Sequence, residues 1–262
     1  MTTTQQRNLV ERTLLDEQMR ELRRDDRRSW GLAGWLWPIV ALVVIIAAGN
    51  VLADTVVPHS GTGRTVVGIV LTIGAEVLLL AVLLAFGRAI AARDGGWRAA
   101  FGLDRIRKRD WVPWLWGLAL TYAGRTSVGI VAAALTDGRA TREASNLSVG
   151  HPTVATVTTL ALTACVLAPV AEELMFRGLL LRTFMRRMSF WPAAVLSTVL
   201  FGVFHVYEVS TIEGALTLAC SVGVLGLVNC HLVRITGRLT PGMMVHASFN
   251  ALALVVALAT GS

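Results

Sequence analysis

The chain predicts an all-α fold, a polytopic membrane helical bundle of seven to eight transmembrane helices. Three observations carry this reading. Of its 262 residues, 54% are hydrophobic and only 16% are charged, and the charges gather in clusters between long uncharged runs. That is the composition of a chain crossing a bilayer several times. Each apolar run is close to the roughly twenty residues that a helix needs to cross hydrocarbon. Finally, Lys and Arg alternate between loops, with 19 of the 24 on one side, 3 on the other and Arg125 and Arg177 inside spans. The basic side is expected to be cytoplasmic, which puts the N-terminus there.

Residues 1–30 form a charged cytoplasmic segment. They are dense in Arg, Asp and Glu with no apolar stretch before Gly31, so no secretory signal is expected. Leu9, Val10, Leu14, Leu15, Met19 and Leu22 lie among these charges at a spacing that suits a surface helix. Spans follow at 31–53, 65–87, 111–135, 158–181, 190–206, 214–233 and 239–260. An eighth helix over 151–167 is the alternative, ending before Pro169. Pro192 suits the first turn of its span, where a missing N–H costs nothing. The chain divides into N-terminal transmembrane helices over 31–150 and a C-terminal core over 151–262. The calculated pI is about 10.5, but the basic residues map to loop ends and no nucleic-acid partner is expected. Cys165, Cys220 and Cys230 all fall in apolar runs and read as small buried hydrophobes rather than a disulfide or thiolate site.

The most informative feature is the run Pro169 to Arg182, where Glu172, Glu173 and Arg177 interrupt an otherwise apolar span. A charged side chain at the centre of a membrane helix costs roughly 2.5 to 3.5 kcal/mol on insertion scales, so these residues need partners or a task. Glu173 and Arg177 are four apart and pair on one helical face. Glu172 points about 100° away and needs a partner from another helix. Two further constellations have the same spacing: Phe201 with His205, and His246 with Asn250.

Together these supply a carboxylate, two imidazoles and a carboxamide on three helices, an inventory that suits hydrolysis. Glu172 takes a proton from water, His205 orients that water, and His246 with Asn250 stabilises the anionic intermediate of an attacked amide. The same atoms, Glu172, His205 and His246, are also a ligand set used by catalytic zinc. The sequence leaves both open. Counted from the basic end, Glu172 and His246 lie roughly 10 to 15 Å deep and His205 nearer 22 Å. Glu76 and Arg125 are expected to form a structural pair nearer the opposite face, with Arg125 reaching Glu172 or Glu173 as the alternative.

Glu-Glu-Leu-Met-Phe-Arg resembles the EExxxR motif of the CaaX prenyl endoprotease and bacteriocin-processing (CPBP, or Abi) intramembrane proteases. Phe201 to His205 is similar to the family's FxxxH motif, and His246 to Asn250 to its HxxxN motif, in the same order. The resemblance covers residues 151–262. It implies a membrane endopeptidase with Glu172, His205, His246 and Asn250 as catalytic residues and Glu173, Arg177 and Phe201 supporting the site. It further implies either no required cofactor or a divalent metal, zinc, as the alternative. The expected partners are membrane lipid and a membrane-associated peptide or protein substrate, possibly lipidated. The expected location is a bacterial cell membrane. The rival reading is a non-enzymatic transporter, immunity or scaffold protein that uses the polar cluster as glue.

Overall fold

A computed structural model describes residues 40, 44, 62–93, 95–143, 153–206 and 209–260. Among them there is no strand. The helices are α1 (Thr62–Arg93), α2 (Trp97–Phe101), α3 (Trp111–Thr136) and α4 (Arg139–Glu143), then the continuous α5 (Val154–Met185). They are followed by α6 (Phe190–Val203), α7 (Ile212–Thr236) and α8 (Thr240–Thr260). Among the described residues five helices, α1, α3, α5, α7 and α8, are long and apolar enough to cross a membrane, against the seven to eight expected.

The difference has two sources. The predicted span 31–53 and the predicted surface helix before it lie outside the described residues, except for Val40 and Val44, both helical. The predicted span 190–206 is a helix of only 14 residues, about 21 Å long against a hydrocarbon core of about 30 Å. The optional eighth helix over 151–167 does not stand alone. Its residues run into α5 through a π-helical turn, Thr163–Leu167, which is followed by Ala168–Glu173 and a second π-helical stretch, Leu174–Leu180. The wider turn accommodates Pro169, whose missing N–H and bulky ring would break a regular α-helix.

Outward-facing residues confirm the setting. Leu78, Trp116, Leu120, Leu135, Val199, Leu216 and Val256 are all exposed, a density of bare apolar side chains that belongs against lipid rather than water. Cys220 is on this outer surface and not in the interior as expected, while Cys230 is buried and all three cysteines are free.

Inside the bundle, α7 packs against α3, α6 and α8, and α5 packs against α1 and α8. Helix ends use local chemistry. The hydroxyls of Thr153 and Thr211 accept from the amides of Thr156 and Gly214 at 3.1 and 3.2 Å, capping α5 and α7. Gly237, with φ 66°, ends α7 through a bond from its amide to Val233 O of 2.8 Å.

At the arginine-rich end, a clasp joins the loop 102–110 to the turn between α7 and α8. Arg238 pairs with Asp110 through both guanidinium nitrogens and donates to Arg105 O at 2.6 Å. The Leu239 amide donates to Gly102 O at 2.9 Å, and the Thr240 hydroxyl to Asp104 O at 2.5 Å. Gly102 is required here twice over. Its φ is 70°, and a Cβ would meet Gly237 O at 2.3 Å.

Gly102→Ala is therefore expected to cost at least about 2 kcal/mol, combining left-handed strain with a backbone clash. Gly74, where a Cβ meets nothing within 4 Å, should tolerate alanine without loss. Thermal unfolding of the two variants in detergent checks the contrast, and equal midpoints would contradict it.

Candidate active site

The two adjacent glutamates of α5 have opposite surroundings. Glu173 is completely buried, and its Oε1 accepts three hydrogen bonds from three helices. Arg177 Nη1 donates at 3.0 Å from the next turn, the predicted pair. Asn229 Nδ2 donates at 2.8 Å from α7, and His246 Nδ1 at 3.0 Å from α8. The Arg177 guanidinium, itself fully buried, lies over the Phe201 ring at 4.4 Å, a cation–π contact that offsets part of its desolvation. Gly226 makes room for it: a Cβ there would come within 3.0 Å of Nη2.

Glu172 has none of this support. Its Oε2 is buried without a hydrogen-bond partner, yet it lies 3.8 Å from His205 Nε2 and 3.6 Å from His246 Nε2. The other nitrogen of each ring is committed. His205 Nδ1 is 2.8 Å from Phe201 O, and a carbonyl only accepts, so Nδ1 carries the proton. His246 Nδ1 must likewise donate to Glu173. In their neutral forms both rings therefore turn the Nε2 lone pair towards Glu172.

Phe201 holds both imidazoles, edge-on, with centroids at 4.6 Å from His205 and 5.8 Å from His246. The side chains of Glu172 and His205 retain 22% and 19% exposure, whereas Glu173 and His246 are closed off. The open side of the cluster is thus the side facing Glu172 and His205.

Asn250, the last sequence-predicted site residue, lies one turn beyond His246. Its Nδ2 donates to Ala164 O at 2.6 Å.

Residues 154–252 match the family model described as Type II CAAX prenyl endopeptidase Rce1-like. This stretch is similar to Rce1-like domains, which are those of a protease family. It contains all three constellations predicted from sequence. No match was found among curated proteins or among solved structures.

Within this stretch, the depth mismatch anticipated for His205 disappears. Helix α5 continues to Met185, so Glu172 lies about 20 Å from that end, close to the roughly 22 Å separating His205 from the start of α6. Helix α8 opens beneath the clasp, with Leu239 wholly buried. His205 itself lies just past α6, in the turn formed by residues 204–206, so its ring is set by its bond to Phe201 O rather than by a helical register.

Asn229 is the functional neighbour that motif reading missed. Its signal was a single carboxamide in the apolar run Leu-Val-Asn-Cys of α7, but nothing in the sequence says which helix it faces. It also donates to Gly242 O at 3.2 Å, fastening α8 as well as Glu173. The expected Glu76–Arg125 pair does not form. Arg125 is drawn instead to the face of Phe249 at 5.2 Å, which keeps its charge beside an aromatic ring. Glu76 is on α1, which packs against the Ala168–Glu173 part of α5.

The donor chemistry of Glu172, His205 and His246 suits zinc, since each imidazole has its N–H anchored on the far side. Among the described residues no group of three or more His, Cys, Asp or Glu is gathered as a metal site.

Removing Arg177 strands a buried carboxylate, so Arg177→Ala should cost about 3 to 5 kcal/mol. Asn229→Ala deletes one of three donors to Glu173 and should cost about 1 to 3 kcal/mol. Denaturation of reconstituted protein measures both, and the reverse ranking would show that Glu173 is not the anchor described.

Proposed function

We propose that the protein is an intramembrane endopeptidase in which Glu172 activates the water that attacks a peptide bond. One observation carries this reading: a buried, unbonded carboxylate oxygen faces two imidazole nitrogens whose opposite sides are already committed. The neighbouring Glu173 also has an unbonded Oε2, but its Oε1 accepts three hydrogen bonds and its carboxylate is closed off, whereas Glu172 keeps an open side next to His205, which weighs against a purely structural cluster.

Charge balance supports the chemistry. Two ionised glutamates and Arg177 leave the cluster one negative charge in a low-dielectric setting, so one more proton shared among Glu172, His205 and His246 neutralises it. With that proton on His246, Nδ1 remains held by Glu173 and Nε2–H becomes a donor. Glu172 then takes a proton from water oriented by the His205 Nε2 lone pair, and the oxygen adds to the scissile carbonyl. His246 Nε2–H stabilises the resulting oxyanion. Collapse breaks the C–N bond as Glu172 returns its proton to the leaving amine. Asn250 belongs to the same stripe of α8. No step is routed through a metal.

The substrate class is a membrane-associated peptide or protein. The name of the matched family adds a prenylated C-terminal CAAX sequence as the first lipidated substrate to test. Access is from the exposed Glu172 and His205 side, with the arginine-rich end cytoplasmic.

Purified protein incubated with a peptide library should cleave, and Glu172→Gln or His205→Ala should each lower the rate by at least about 100-fold. Because Glu172 Oε2 has no hydrogen-bond partner to lose, Glu172→Gln should leave the unfolding midpoint nearly unchanged; retained cleavage in both variants sinks the assignment. In a second measurement, cleavage should persist after exhaustive chelation. Loss that only zinc restores would transfer the mechanism to a metal.

A further inference from the structure

We infer that Asn250 is a positioning residue that sets the register of the Glu172 helix, by donating the hydrogen bond that Pro169 cannot. The argument starts from backbone accounting. In the π-helical turn Thr163–Leu167, the amide of Ala168 bonds five residues back to Thr163 O. The next bond in this pattern runs from residue 169 to Ala164 O, and residue 169 is proline, with no N–H.

Ala164 O is therefore left without a backbone donor inside an apolar helix, a costly position. Asn250 Nδ2 supplies the bond from α8, at 2.6 Å. A carbonyl only accepts, so the amide nitrogen must face it. The second π-helical stretch is braced similarly, with the Ser197 hydroxyl of α6 donating to Phe176 O at 2.9 Å.

A π-helical turn inserts one residue, so gaining or losing it rotates everything downstream by about 100°. Glu172 and Glu173 are immediately downstream. Without the turn, Glu172 would swing away from His205 and His246, and Glu173 away from Asn229. Asn250 thus acts through Ala164 O on the helix opposite, while His246, four residues earlier on the same stripe, acts directly. One face of α8 both contributes an imidazole and fixes the angle from which the carboxylate meets it.

The inference rests on the endopeptidase reading for its catalytic consequence but not for its structural one, and a cycle of N250A, P169A and the double variant tests both. P169A restores an N–H near Ala164 O. In the Pro169 background N250A should lower kcat at least tenfold, with KM changed less than threefold, and should increase amide exchange over residues 160–175. In the P169A background the same substitution should cost no more than about threefold and leave exchange near that of P169A alone. Equal N250A losses in both backgrounds would overturn the inference and make Asn250 a direct oxyanion donor. If wild-type protein cleaves nothing, the endopeptidase reading fails, while exchange and unfolding midpoints across the cycle still decide the positioning role. Should N250A fail to fold, recovery of folding in the double variant supports the inference and failure of both refutes it.

Discussion

Everything at the centre of this bundle follows from burying one carboxylate. Glu173 has no exposure, and an ionised group in that position is tolerable only if donors saturate it. No single helix can provide them. Arg177 comes from the same helix, Asn229 from α7 and His246 from α8, so satisfying one oxygen brings three helices to one point. Phe201 and Gly226 then become obligatory, the first as a platform for the guanidinium and the second as the space it occupies.

This convergence explains why two consecutive glutamates have unlike fates. The donors within reach are spent on Glu173, and their geometry orients His246 so that its second nitrogen faces Glu172. The supported residue prepares the unsupported one. The proposed chemistry at Glu172 needs a carboxylate held near imidazoles, and that placement results from what its neighbour has taken.

Much of this was legible in the chain because membrane helices declare themselves by length and apolarity, and because side chains four apart share a face. The Glu173–Arg177 pair follows from those two regularities, while the gathering of Glu172, His205 and His246 is expected from the three polar constellations read together and their resemblance to the CPBP motifs. Three features were not legible. The expected span 158–181 already runs past Pro169, but the π-helical turns that carry it there have no sequence period. The role of Asn229 depends on which face of α7 meets α5, a tertiary fact. Arg125 had two ways to be stabilised, a carboxylate or an aromatic face, and packing against Phe249 decided between them.

The clasp at the arginine-rich end bears on what kind of unit the matched region is. Arg238 and Thr240 are tied to Asp110 and Asp104, Ser248 accepts from the Trp114 indole at 2.9 Å, and the Tyr122 hydroxyl donates to Phe249 O at 3.3 Å. All four bonds reach from the matched region back into residues that precede it. The stretch that carries the family likeness thus leans on residues outside it. Helix α3 and its leading loop serve as a template on which α8 is laid, so divergence in those earlier residues is constrained by contacts that no motif records. A chimera joining this catalytic segment to foreign N-terminal helices would have to import that template with it.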